Sequence, residues 1–118
     1  MHRRLERKAA VVTGGSTGIG LGMAAIRNFA RHWTLDLKER HIRVNALSPG
    51  STLTPGSKRL TADESQWQQF QVQLAAQVPM GRLAHPEEIG RAAVFLASDD
   101  SSYVNGMALC VDGGVAQI

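Results

Sequence analysis

The sequence predicts an α/β fold, a minimal three-layer sandwich with about three parallel strands. Two observations predict it. Short apolar runs alternate along the chain with longer segments whose apolar residues recur every three to four positions. The first of those runs is nearly continuous, as a strand covered on both faces must be. Strands that alternate with helices build a parallel sheet through right-handed crossovers. At 118 residues the chain is expected to form one domain over residues 1–118, with an adequate but not generous core.

The first strand is read over residues 8–13, around Ala9-Ala10-Val11-Val12. Thr13-Gly14-Gly15-Ser16-Thr17-Gly18-Ile19-Gly20 follows and opens into a helical pattern. A strand, a glycine-rich turn and a helix start together make an anion site. Glycines let the backbone approach a phosphate, and the helix's unpaired N–H groups and positive dipole end point at it. The helix is expected to begin near Thr17 or Gly18 and to reach about Arg40, with Ile26, Phe29, Ala30, Trp33 and Leu37 as one apolar stripe. A helix that long overshoots an ordinary strand, so part of it should project or meet a partner.

The second strand is read over residues 42–48 and stops at Pro49-Gly50. Residues 51–60, rich in Ser, Thr, Pro and Gly, form a loop at that strand's C-terminal end, the edge where open α/β sheets bind ligands. Thr61-Ala62-Asp63-Glu64 reads as a capping box for a helix that buries Trp67, Phe70, Leu74 and Val78 and ends at Pro79. Pro86 begins the next helix, with Glu87 and Glu88 in its first turn and Ile89, Ala92, Ala93 and Leu96 inward. The third strand covers residues 107–111, closed by Asp112-Gly113-Gly114, and the expected strand order is one, two, three.

Composition narrows the class. An apolar fraction of 43% with 19% charged residues excludes a disordered chain. No apolar run approaches the length of a membrane span, and residues 1–8 are too charged for a signal peptide. Cys110, the single cysteine, excludes an internal disulfide and fits a reducing compartment, so a cytoplasmic protein is expected. The net charge of +3 is concentrated in Arg3, Arg4, Arg7 and Lys8. No aromatic residues interleave with them as a single-strand binder requires, so they read as a solvated lead-in, and neither nucleic acid nor membrane is expected as a partner.

On these motifs the chain resembles the short-chain dehydrogenase/reductase family, and the resemblance runs over nearly its whole length. Thr13-Gly14-Gly15-Ser16-Thr17-Gly18-Ile19-Gly20 is similar to that family's cofactor loop, and Arg43-Val44-Asn45-Ala46-Leu47-Ser48-Pro49-Gly50 to its sixth strand and following turn. Met80-Gly81-Arg82-Leu83, Pro86-Glu87-Glu88-Ile89, Phe95-Leu96-Ala97-Ser98 and Val111-Asp112-Gly113-Gly114 resemble its C-terminal block. The resemblance implies a Rossmann-like fold and an NAD or NADP cofactor. Gly14, Ser16, Gly18, Ile19 and Gly20 would hold the pyrophosphate and adenosine ribose; Pro49, Gly50, Thr52 and Thr54 would line the nicotinamide.

The chain also departs from that family. Its catalytic Tyr-x-x-x-Lys pair falls on Ile19 and Met23 when the helix is aligned from Ala24 onward, so the central segment is absent and the junction lies near residues 20–24. The catalytic Ser and the strand that discriminates NAD from NADP go with it, leaving the catalytic residues unassigned. Tyr103 has Met107 in place of a lysine partner and reads as fixing a turn; Asp36 lies inside a helical pattern and is set aside as a ribose ligand. Lys58 reads as a solvated lysine in the loop.

His32 with Asp36, and His85 with Glu88, lack a third ligand, so no metal site is read. No G-x-S-x-G elbow supports a hydrolase. The expected function is an NAD(P)-dependent oxidoreductase in minimal form, acting on a small-molecule carbonyl, alcohol or other easily reduced acceptor. The alternative is an inactive cofactor-binding or subunit-interaction module derived from the same family. With sheet edges left open, a homodimer through the long helix (Ile26, Phe29, Trp33) and a sheet edge is expected.

Overall fold

The computed structural model describes residues 7–13 and 19–117. Three strands, β1 (Ala9–Thr13), β2 (Arg43–Pro49) and β3 (Ala108–Val111), form one parallel sheet in the order β1-β2-β3. Between β1 and β2 runs α1 (Ile19–Asp36); between β2 and β3 come α2 (Pro55–Lys58), α3 (Glu64–Ala76) and α4 (Pro86–Ala97). The three-layer α/β architecture and the strand order expected from the sequence are both present. No helix among the described residues is long and apolar enough to cross a membrane.

β2 is the central strand, and its interior residues Val44, Asn45, Ala46 and Leu47 are all buried. Side chains alternate across a strand, so Val44 and Ala46 face one layer while Asn45 and Leu47 face the other. Ala30 of α1 joins Ile42, Val44 and Ala46 in the buried cluster, with Ile26 and Leu37 packed against its edge. α4 lies on the opposite face, against β1 and β2, and buries Leu96.

The apolar stripe expected on α1 therefore splits. Phe29 and Trp33 stay 54% and 42% exposed, their rings 5.8 Å apart, because a helix over a sheet buries a band narrower than the stripe. α1 is also shorter than expected. It ends at Asp36, and a 3-10 turn over Lys38–Arg40 leads to His41, whose left-handed backbone (φ 54°) turns the chain back into the sheet. Burying Ile42 beneath α1 requires that reversal, and an α-helix continued to Arg40 would prevent it.

Four smaller expectations are also corrected. The loop after β2 contains a short helix, α2, and the cap of α3 is Asp63, not Thr61. Asp63 Oδ1 accepts the Gln66 N–H at 2.8 Å, while Thr61 donates to the Lys58 carbonyl at the end of α2. α3 stops at Ala76, so Val78 lies past its end, buried against the Gly113 turn: a Cβ added to Gly113 would sit 2.6 Å from Val78 Cγ1. Tyr103 fixes nothing, being fully exposed.

The turn into β3 is held instead by a polar clamp from β2. Asn45 donates to the Val104 carbonyl (3.0 Å) and accepts the Met107 N–H (3.1 Å), while Asn105 Oδ1 accepts the Val44 N–H (2.9 Å). The Arg43 guanidinium donates to Ser101 Oγ and to the carbonyls of Leu96, Ser98 and Val104 at 3.0–3.3 Å. These bonds fix the end of α4 and the β3 entry onto one strand. Asn45→Ala leaves the part-buried Met107 N–H without its partner and the Val104 carbonyl held by Arg43 alone, so urea unfolding should show a loss of about 1–2 kcal/mol. Tyr103→Ala should stay within about 0.5 kcal/mol of the parent.

Candidate active site

The C-terminal ends of all three strands converge on one edge. In the parallel register Thr13 lies opposite Leu47, and Pro49 opposite Val111. α1 starts at Ile19, six residues beyond the end of β1, so its N-terminus opens onto the same edge as Pro49-Gly50. Gly14, Ser16 and Gly18 lie outside the described residues. Ile19 and Gly20 form the start of α1, whose first N–H groups have no partner within the helix.

Past β2 the backbone is tied down closely. The Gly50 N–H donates to the Val111 carbonyl at 2.9 Å, and a Cβ on Gly50 would lie 2.6 Å from Asp112 Cα, so only glycine lets these two strand ends approach. Thr52 forms a parallel bridge with Ala84, flanked by Leu53 N–H to Ala84 carbonyl and Ala84 N–H to Ser51 carbonyl bonds, both 2.9 Å. Thr52 Oγ1 donates to the Gly50 carbonyl at 2.9 Å. Thr54 caps α2: its hydroxyl accepts the Ser57 N–H at 3.1 Å, and Ser57 Oγ accepts the Thr54 N–H at 3.0 Å. Lys58, at the end of α2, pairs with Glu64 at 2.8 Å on the solvent side.

Beside this loop lies a cavity of about 330 Å³, which includes Ser51, Met80, Arg82, Glu88, Cys110 and Asp112 in its lining. Sequence reasoning did not find it. Arg82 and Glu88 were visible only as separate motif fragments, and their spacing across a helix start was the available signal. Arg82 grips Glu88 with two bonds of 2.7 and 2.9 Å, and Glu88 also accepts the His85 N–H at 3.0 Å. The Arg82 hydrogen bond, aided by that backbone N–H, lowers the Glu88 carboxyl to about 2. Burial, reinforced by the negative charge of Asp112, raises the Cys110 thiol, so it stays protonated and is a poor nucleophile at neutral pH. Asp112 itself accepts the Gly114 and Ala116 N–H groups at 3.0 Å and holds the glycine turn.

The edge fits a group with a phosphate end and a flat ring. A helix N-terminus beside a braced strand exit offers N–H donors for the former and a fixed loop for the latter. Among the described residues β1 pairs only with β2, so no neighbouring strand end beyond β1 offers a wall for an adenine. No tyrosine or lysine occupies the helix start, and Tyr103 lies before β3, on the entry side of the sheet.

A family model described as enoyl-(acyl carrier protein) reductase matches residues 8–116, both the glycine turn and the C-terminal block. The chain belongs to the short-chain dehydrogenase/reductase family. An oxidoreductase of Sarocladium schorii, asL5, is 41% identical over 117 residues, covering 92% of this chain and 45% of that protein. The 3-oxoacyl-(acyl-carrier-protein) reductase FabG of Thermotoga maritima is 35% identical over 101 residues, covering 86% of this chain and 39% of that one. The crystal structure of Cj0485 dehydrogenase superposes with a TM-score of 0.85 at 26% identity, over 96% of this chain and 47% of that one. The chain thus spans less than half the length of these relatives. Because both of its ends carry family motifs, the shortening is internal.

The Arg82–Glu88 pair makes a pH prediction. A carboxyl lowered from 4.5 to about 2 stabilises the folded chain fully above pH 4.5, and that contribution is lost as pH falls through about 2. By NMR, Glu88 should titrate near pH 2 in the parent and move most of the way back toward 4.5 in Arg82→Met. An unmoved midpoint would contradict the assignment.

Proposed function

We propose that this chain binds a nicotinamide dinucleotide, NAD or NADP, across the C-terminal edge of its sheet and acts as a minimal short-chain oxidoreductase. Its substrate class is a carbonyl/alcohol pair or another easily reduced acceptor. The observation that carries the reading is the parallel register with Thr13 opposite Leu47, which opens the start of α1 onto the Pro49-Gly50 exit. Gly14, Ser16, Gly18, Ile19 and Gly20 would hold the pyrophosphate and adenosine ribose, and Pro49, Gly50, Thr52 and Thr54 would line the nicotinamide.

The cofactor, when bound, supplies the hydride. The chain's own contribution is to orient two reactants and limit their motion. The braced loop over residues 50–54 does this through backbone bonds to Ala84 and Val111. No side chain at the helix start holds a proton for a developing alkoxide, so turnover should be slow with ordinary ketones and faster with acceptors that need no acid.

Ile19 and Met23, neither able to move a proton, favour a second reading: a cofactor-binding or subunit-interaction module without turnover. In either case the partner is a second copy of the chain. Phe29 and Trp33 of α1 are exposed, and the outer edge of β1 carries no strand among the described residues, a combination that closes most simply across a two-fold axis. Sedimentation should find a dimer that Trp33→Glu weakens.

The deciding experiment titrates NADH and NADPH by fluorescence alongside a turnover assay over ketones, quinones and redox dyes. Saturable binding with slow turnover supports the oxidoreductase. Binding without turnover supports the module, and no binding of either cofactor by the folded protein contradicts both.

A further inference from the structure

The opposite edge of the sheet carries a second, larger cavity of about 620 Å³. It lies beneath the N-terminal ends of β1 and β2, between the C-terminal ends of α1 and α4, the full length of β2 away from Pro49. Arg7, Lys8, Lys38, His41 and Arg43 line it, against a single carboxylate among the described residues, that of Asp99. This concentration follows from the shortened chain. Pairing β1 directly with β2 sets Ala9 opposite Arg43, with the Arg43 N–H on the Lys8 carbonyl (3.1 Å) and the Arg7 N–H on the Arg40 carbonyl (3.2 Å). Two basic stretches far apart in sequence thereby become adjacent walls of one cavity.

Among the described residues, the helix-end carbonyls beside the cavity do not neutralise it. The α4 end is already taken up by Arg43, whose guanidinium is bonded to the carbonyls of Leu96 and Ser98. The carbonyls near the α1 end receive backbone N–H bonds from Leu37, Arg40 and His41. A helix C-terminus carries only about half a unit of negative charge. Arg7, Lys8, Lys38 and His41 are exposed, and they face the opening from both walls. Arg7 and His41 are also the two described non-glycine residues with left-handed backbone, at φ 61° and 54°. Such conformations collect where a fold holds side chains for a ligand.

We propose that this cavity binds a small molecule carrying two or more phosphate groups, at a site separate from the dinucleotide edge. The volume lies within the range of small-ligand pockets. Cations on two walls require more than one anionic group, and arginine and lysine together suit phosphate oxygens. The concave lining contains no Phe, Tyr or Trp, and its one ring is the His41 imidazole, so it lacks the row of stacking platforms that a nucleic acid strand needs and favours a small ligand.

The test is calorimetric titration of the folded protein with tripolyphosphate, pyrophosphate, sulfate and citrate at constant ionic strength. The expected result is one tripolyphosphate per chain, bound at least about tenfold more tightly than sulfate or citrate, with NADH binding undisturbed. Lys8→Gln/Lys38→Gln should weaken tripolyphosphate by about tenfold per lysine, since each removes a charge-assisted bond. Asp99→Asn, which removes the opposing charge, should tighten it severalfold; this gain keeps the test open if the double variant folds poorly.

Four results would overturn the proposal. Tripolyphosphate affinity unchanged in both variants would do so, as would displacement of NADH by tripolyphosphate, which would put the two ligands in one site. Citrate binding as tightly as tripolyphosphate would remove the phosphate assignment. A short duplex DNA binding more tightly than tripolyphosphate would make the basic edge a nucleic-acid surface.

Discussion

A strand covered on both faces must have both hydrogen-bonding edges occupied as well, because a buried N–H or carbonyl without a partner costs more than a well-made hydrogen bond contributes. β2 is in that position: four consecutive residues, Val44 to Leu47, are buried, and β1 and β3 supply its two parallel neighbours. Everything else takes its place from this strand. α1 covers one face through Ala30, α4 covers the other through Leu96, and Arg43 and Asn45 reach out from it to fix the approach to β3. The loss of the family's central segment is tolerated because β1 can fill the vacant edge of β2 with its own backbone groups.

That substitution has consequences at both ends of the sheet. At the C-terminal edge it brings the start of α1 beside the Pro49-Gly50 exit, the arrangement on which the proposed cofactor site rests. It does so without further strands beside β1 to back an adenine among the described residues, and with Ile19 and Met23 at the helix positions of the proton-donating pair. At the N-terminal edge it joins Arg7-Lys8 to Lys38 and Arg43, a juxtaposition that belongs to this chain because intervening strands would separate these residues. The same shortening that weakens the catalytic reading of one edge thus creates the charge of the other.

Most of the fold was legible because period and punctuation agree along the chain. Val44, Ala46 and Ile42 read as a buried strand, Pro86 and the acids after it as a helix start, and Asp112-Gly113-Gly114 as a strand end; all are found so. Phe29 and Trp33 show the limit of periodicity: they share a stripe with Ala30 but not its burial, since which part of a stripe faces the sheet depends on the crossing of helix and strands. The Asn45 clamp and the Arg82–Glu88 pair were illegible for another reason. The Asn45 clamp joins residues about sixty positions apart whose proximity follows from the packing of separate elements, while the Arg82–Glu88 pair left only its spacing across the start of α4, which does not by itself show that the two side chains meet. Four of the nine proposed cofactor residues, Pro49, Gly50, Thr52 and Thr54, were readable as a strand end and the loop after it, while the basic cavity was not, because its two walls meet only through the β1–β2 register.

That register is the central claim, and NMR tests it most directly. Parallel pairing of Val11 with Asn45 and Ala10 with Val44 predicts interstrand contacts between backbone protons of β1 and β2, together with slow hydrogen exchange at the β1 amides that bond to β2. Contacts in another register, or β1 amides that exchange as fast as an unfolded chain, would contradict the account and separate the start of α1 from the Pro49-Gly50 edge.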